Sequence, residues 1–105
     1  MIARAWRASA TGDGAEAYRR HFIESVVPAL RSIDGHRGAY LLRRDRDDLV
    51  ELEVVTLWES MDAVRGFSPD VDVAVVEPEA QAILHDFGTT VGYQTVVVDT
   101  ATGAS

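Results

Sequence analysis

At 105 residues the chain can bury one modest core but not two, and its 47% hydrophobic and 26% charged content is that of a folded domain. A net charge of −7 argues against a nucleic-acid partner, whose phosphates call for a basic surface, and the lack of cysteine excludes disulfides and thiolate chemistry. No apolar run approaches the length of a membrane span and "MIARAWRASA" lacks the apolar centre of a signal peptide, so no membrane partner and a cytoplasmic location are expected.

In chain order, "IARAWRA" (2–8) reads as a first strand, and "TGDG" (11–14) turns the chain out of it. Asp13, with Glu16 one turn later, offers an N-cap and capping pair. The helix that follows carries Tyr18, Phe22, Val26, Ala29, Leu30 and Ile33 along one stripe. Pro28 falls inside that pattern; it has no N–H and crowds the Glu24 carbonyl, so a kink is expected there. "DGHRG" (34–38) stops the helix and "AYLLRR" (39–44) forms a second strand. The polar turn "DRDD" (45–48) leads into a third strand, "LVELEVVTLWE" (49–59). Ser60 caps a short helix, "MDAVRGF" (61–67), which "SPD" (68–70) ends. Pro78 opens a last helix, "PEAQAILHDF" (78–87), with Gly88 past its end. "TVGYQTVVVD" (90–99) is the fourth strand. Residues 1–99 are expected to form a single domain and 100–105 a flexible tail.

The order strand, helix, strand, strand, helices, strand is the ferredoxin-like pattern, an α+β fold whose four-stranded antiparallel sheet carries its helices on one face. Along the third strand Leu52, Val54, Thr56 and Trp58 point one way, and Glu51, Glu53, Val55 and Leu57 the other. A half-wet sheet alternates apolar and polar residues, yet both faces are apolar from Val54 to Trp58. The few helices cover one face only. The other is expected to bury itself against a second copy, giving a homodimer through the face that carries Val55 and Leu57. Glu51 and Glu53 on that face are expected to pair with arginines such as Arg43.

The run "TLWESMDAVRGF", with "MIARAWR" before it and "EPEAQAILHDF" after it, resembles the antibiotic biosynthesis monooxygenase family over roughly residues 2–98. Leu57-Trp58-Glu59-Ser60 is the clearest part of the likeness. The resemblance implies a dimeric α/β barrel with a cavity between helices and sheet in each protomer. It implies a cofactor-independent monooxygenase that oxidises a polycyclic or quinol-like aromatic, such as an anthrone, in secondary metabolism. Such a substrate supplies its own electrons once deprotonated and held near O₂, with no metal or flavin. The alternative is a non-catalytic, small-molecule-binding or stress-associated barrel protein.

Within that frame the substrate-binding candidates are Trp58, Trp6, Tyr18, Phe22, Tyr40, Thr56 and Phe67. Tyr40 joins the helix-facing set, with Leu42, if Leu42 pairs with Leu52. An aromatic-rich pocket suits a flat ligand. Arg4 and His85 are the catalytic candidates, Arg4 by steadying an enolate or phenolate and His85 as a base. Each has a plainer reading beside it. Trp58 and Trp6 could fill the core, Arg4 could pair with a carboxylate at the rim, and His85 could complement a helix C-terminus. His21 on the polar side of its helix and His36 in a turn read as surface residues. Three histidines on three elements give no metal site.

The resemblance also bears on chemistry by what is missing. Haem-degrading relatives use an asparagine, a tryptophan and an axial histidine at places that hold Trp6, Phe67 and Glu77 here, which argues against haem degradation. Aromatic-oxidising relatives carry polar groups at places that hold Val54, Val64 and Pro78, so of that pattern Trp58 alone is kept.

Overall fold

The strand β1 (Ile2–Ala10) runs through the interior of the sheet because both its edges are taken. On one side β3 (Leu49–Trp58) pairs with it antiparallel, with Arg4 opposite Thr56 and Trp6 opposite Val54. Beyond β3 lies β2 (His36–Arg46), also antiparallel. The outer place beside β1 is shared by two short strands, β4 (Asp86–Phe87) and β5 (Gly92–Thr95). A computed structural model describes residues 1–100. The tail expected at 100–105 lies, Thr100 apart, outside them.

The helices are α1 (Gly12–His21), α2 (Val27–Arg31), α3 (Met61–Phe67) and α4 (Pro78–Ile83). Between α1 and α2 the chain makes a π-helical segment, Phe22–Val26. That is the irregularity Pro28 forces. Widening the turn ahead of the proline accommodates the missing N–H, and it lets the adjacent Val26 and Val27 both reach the core. Thr11, not Asp13, caps α1, its Oγ1 accepting from the Gly14 N–H at 3.1 Å. Gly14 has to lack a side chain: a Cβ there would stand 2.5 Å from the Ile83 carbonyl oxygen, so α1 and α4 meet backbone to backbone. Ser60 caps α3 as the sequence predicts, accepting from the Ala63 N–H at 3.2 Å.

Two expectations about the strands are corrected. The last helix ends at Ile83 rather than at Phe87, because β1 offers an unpaired edge there. The His85 N–H donates to the Ser9 carbonyl at 2.8 Å and the Gly88 N–H to the Arg7 carbonyl at 2.9 Å, so the chain finishes as β4. The fourth strand, expected over 90–99, is shortened to β5 (Gly92–Thr95), and with β4 the antiparallel sheet has five strands among the described residues. The second correction is the β2 register. Leu42 pairs with Glu53, and Arg43 with Leu52, after an irregularity between His36 and Gly38. One residue of slip moves every side chain to the opposite face. Tyr40 and Leu42 therefore leave the helix side and lie 44% and 45% exposed on the open face.

The core lies between the sheet and the helices. Trp6, Ala10, Val50, Leu52 and Val54 from the strands meet Ala15, Tyr18, Phe22 and Ala80 from the helices. A smaller cluster of Leu30, Trp58 and Val64 closes the α3 end. The other sheet face carries no helix, and within one chain the sheet stays open. Leu57 is nonetheless buried in the protomer, while Val55 on the same face is half-buried. The acids on that face find other partners than Arg43: Glu53 pairs with Arg7 at 3.2 Å, Glu51 with Arg46 at 2.9 Å, and Arg43 with Asp45 at 2.7 Å.

Candidate functional site

Two concavities mark the surface. The larger, an open groove of about 500 Å³, crosses the uncovered sheet face and is lined by Arg7, Ser9, Arg44, Glu51, Glu53 and Asp86. Within it Arg7 pairs with Glu53, Glu51 pairs with Arg46 outside it, and no aromatic ring other than Phe87 reaches it. The smaller lies between helices and sheet, has room of about 40 Å³, and is where the chemistry gathers.

Its floor is the helix-facing side of β1 and β3, where alternation sends Arg4, Trp6, Val54 and Thr56 inward together. Tyr18 and His21 come from α1, Phe67 from the end of α3, and Val75, Val76 and Glu77 from the segment before α4. The Trp6 ring lies 6.0 Å from that of Tyr18, and its Nε1 donates to the Gly88 carbonyl at 2.6 Å. Burial, then the charge of Glu77, push the Tyr18 phenol above its ordinary pKa, so it stays protonated and keeps an O–H to donate.

Arg4 is the least ordinary group here. It is only 6% exposed, yet no carboxylate among the described residues pairs with it. The rim pairing expected of it is thus replaced by neutral acceptors: Nε donates to the Tyr93 hydroxyl at 3.2 Å and Nη2 to the Val73 carbonyl at 3.1 Å. Its guanidinium carbon stands 5.2 Å from the Phe67 ring centroid, in cation–π range.

Of the residues singled out from the sequence, Arg4, Trp6, Tyr18, Thr56 and Phe67 are brought together at this cavity. Phe22 is buried beside Tyr18 but outside the wall, and Tyr40 is on the far face of the sheet. Trp58 sits one layer behind the wall with no exposure; its Nε1 donates to Thr56 Oγ1 at 2.8 Å and its ring lies 5.7 Å from Phe67. The indole N–H needs a buried partner, and the nearest is on the same strand face two positions back. His85 is exposed beyond the end of α4 and away from the cavity, so it neither lines it nor complements that helix.

Two participants escaped the sequence reading. His21, taken for a surface residue, has a side chain only 12% exposed, and its Nε2 comes within 2.7 Å of Glu77 Oε2, off the line of a straight hydrogen bond. The signal was its place one turn from Tyr18, on the flank of the apolar stripe. Tyr93 reaches Arg4 from β5, a pairing no local pattern announces. Among the described residues no group of three or more potential ligands gathers to hold a metal.

No family model and no curated protein matches the sequence. Solved structures do. A candidate antibiotic biosynthesis monooxygenase from Deinococcus radiodurans superposes with a TM-score of 0.61 over 94% of this chain and 95% of its own, at 13% identity. A candidate antibiotic biosynthesis monooxygenase from Bacillus cereus gives 0.55 over 95% and 94%, at 16% identity. The chain has the antibiotic biosynthesis monooxygenase fold. A protein from Mycobacterium tuberculosis shares that fold too, with a TM-score of 0.57 over 95% of this chain and 98% of its own, at 17% identity. At such identities the antibiotic biosynthesis monooxygenase fold is what is held in common, and chemistry has to be argued from the side chains.

Proposed function

We propose that the protein is a cofactor-independent monooxygenase acting on a polycyclic or quinol-like aromatic, as in secondary metabolism. One observation carries the reading: an internal cavity walled by Trp6, Tyr18 and Phe67 around a buried guanidinium. Flat rings give such a wall its contact area, and a cation beside it steadies the charge of a deprotonated substrate. For an anthrone-type ring the balance closes without outside electrons. A CH₂ and O₂ become C=O and H₂O, the substrate's own C–H electrons reducing the oxygen. Tyr18, held protonated, would donate a hydrogen bond to the substrate's oxygen, and Arg4 would meet its negative charge.

The same reading takes the molecule as a cytoplasmic homodimer joined through the open sheet face, where Tyr40, Leu42 and Val55 await cover. A second copy there would close the two sheets into a barrel and bury the groove. No helix among the described residues is long and apolar enough to cross a membrane. Sedimentation at micromolar concentration should give twice the 11.5 kDa chain mass, and a clean monomer would remove the barrel.

A specific feature favours the second reading, a binding or stress-associated protein without catalysis. Val54 lines the cavity where the resemblance calls for a polar catalytic group. Oxygen uptake with a panel of anthrones and hydroquinones separates the two. Protein-dependent uptake supports the monooxygenase; tryptophan quenching by the same compounds with no uptake supports the binding protein.

A further inference from the structure

We infer that the cavity takes its aromatic ligand as an anion, with Arg4 as the counter-ion, and that binding loosens the segment 69–77 without detaching it. This rests on the cavity being the ligand site proposed above, and it names the ligand's class: a flat aromatic carboxylate or a phenol acidic enough to be ionised at neutral pH.

A buried charge without an opposite charge is costly, and most such groups escape the cost by changing protonation state. Arginine cannot, because its guanidinium stays protonated at any ordinary pH. Arg4 nonetheless lies 6% exposed at the middle of the sheet, between Thr56 on β3 and Tyr93 on β5. Two of its five N–H groups are taken, both by neutral oxygens, and Glu77 on the same cavity wall stands against His21 and makes no ion pair with Arg4. The charge is unbalanced from within the described chain, in a cavity walled by the rings of Trp6, Tyr18 and Phe67. A carboxylate or phenolate supplies what is missing, and charge-assisted hydrogen bonds outcompete neutral ones.

The neutral partners show what would give way. The Val73 carbonyl that Arg4 holds, and the Val71 carbonyl that the Tyr93 hydroxyl holds, both belong to the segment joining α3 to α4. That same segment walls the cavity through Val75, Val76 and Glu77. With room of about 40 Å³ the closed cavity admits no aromatic ring, since ligand pockets run from about 300 Å³ upward. An anion that takes the guanidinium from Val73 removes one of the ties closing the wall. Backbone bonds from Ala74 to Thr89 and from Val91 to Asp72 remain at its base, so the segment lifts without detaching.

The test compares 2-naphthoate with its neutral isostere 2-naphthamide, by calorimetry on the intact protein. Naphthoate should bind at least about tenfold more tightly, as a hydrogen-bonded charge pair commands. Arg4→Gln should erase the preference, bringing naphthoate binding down to that of naphthamide, while Arg4→Lys retains part of it. Saturating naphthoate should speed amide hydrogen exchange at residues 71–76. Equal binding of the two probes by the wild-type protein, which requires no variant to fold, overturns the anion inference while the cavity reading survives. Binding of neither overturns both. Naphthoate preference with slowed exchange at 71–76 overturns the loosening of the segment.

Discussion

Replacing Trp58 by phenylalanine separates a core residue from a wall residue. The ring has no exposure, packs with Leu30 and Val64, and donates to Thr56 Oγ1 at 2.8 Å. Phenylalanine leaves a void of roughly 40 Å³, which at about 24 cal/mol per Å³ costs about 1 kcal/mol. The lost N–H deprives Thr56 of its donor, adding about 1 kcal/mol. The sum of about 2 kcal/mol corresponds to a midpoint lower by roughly 10 °C in a domain of this size, and alanine should cost about 3–5 kcal/mol. Thermal unfolding followed by circular dichroism reads the midpoint, and fluorescence of the remaining Trp6 reads ligand binding. Binding in the folded fraction should be unchanged. A midpoint that hardly moves, together with aromatic binding weakened several-fold, would refute the core assignment and return Trp58 to the cavity wall.

Acidification should weaken the fold through His36, whose protonation is opposed by burial and then by the charge of Arg31. Its folded pKa is depressed, so the unfolded chain takes the proton first. This contribution is whole above the ordinary 6.5 and is lost as pH falls below it, and His36→Gln should flatten the decline in midpoint over that range. Gly14→Ala puts a methyl 2.5 Å from the Ile83 carbonyl, so α1 and α4 must part. Urea titration should show a loss of about 1–3 kcal/mol, and an unchanged midpoint would mean looser packing there. Titrated hemin should give no histidine-type Soret band, because the cavity has room of about 40 Å³ and its only histidine, His21, is engaged by Glu77. Reductant-driven conversion of hemin to a bilin would contradict this.

Much of the fold was legible because its signals are local. The period-two alternation of Leu52, Val54, Thr56 and Trp58, the stripe from Tyr18 to Leu30, and the Ser60 cap each depend on a few neighbouring residues. The β2 register was not, because it turns on an irregularity between His36 and Gly38 that no alternation reveals, and the slip carried Tyr40 to the wrong face. The end of α4 was misjudged for a tertiary reason: helix-compatible residues from Leu84 to Phe87 yield to the open edge of β1. In the site, β1 parity sufficed to place Arg4 and Trp6 together. The neutral company Arg4 keeps depends on Tyr93 and Val73, distant in sequence, and the contact of His21 with Glu77 depends on how α1 meets the segment before α4.

The central claim, that this cavity is where an aromatic substrate meets oxygen, is tested most directly by filling it. Val54 lines the floor, and Val54→Phe adds more volume than the closed cavity holds. Oxygen uptake with anthrone should be evident in the wild-type protein and lost in this variant, while circular dichroism shows the variant folded. Uptake by a folded Val54→Phe protein at the wild-type rate would contradict the account and place the chemistry outside the cavity.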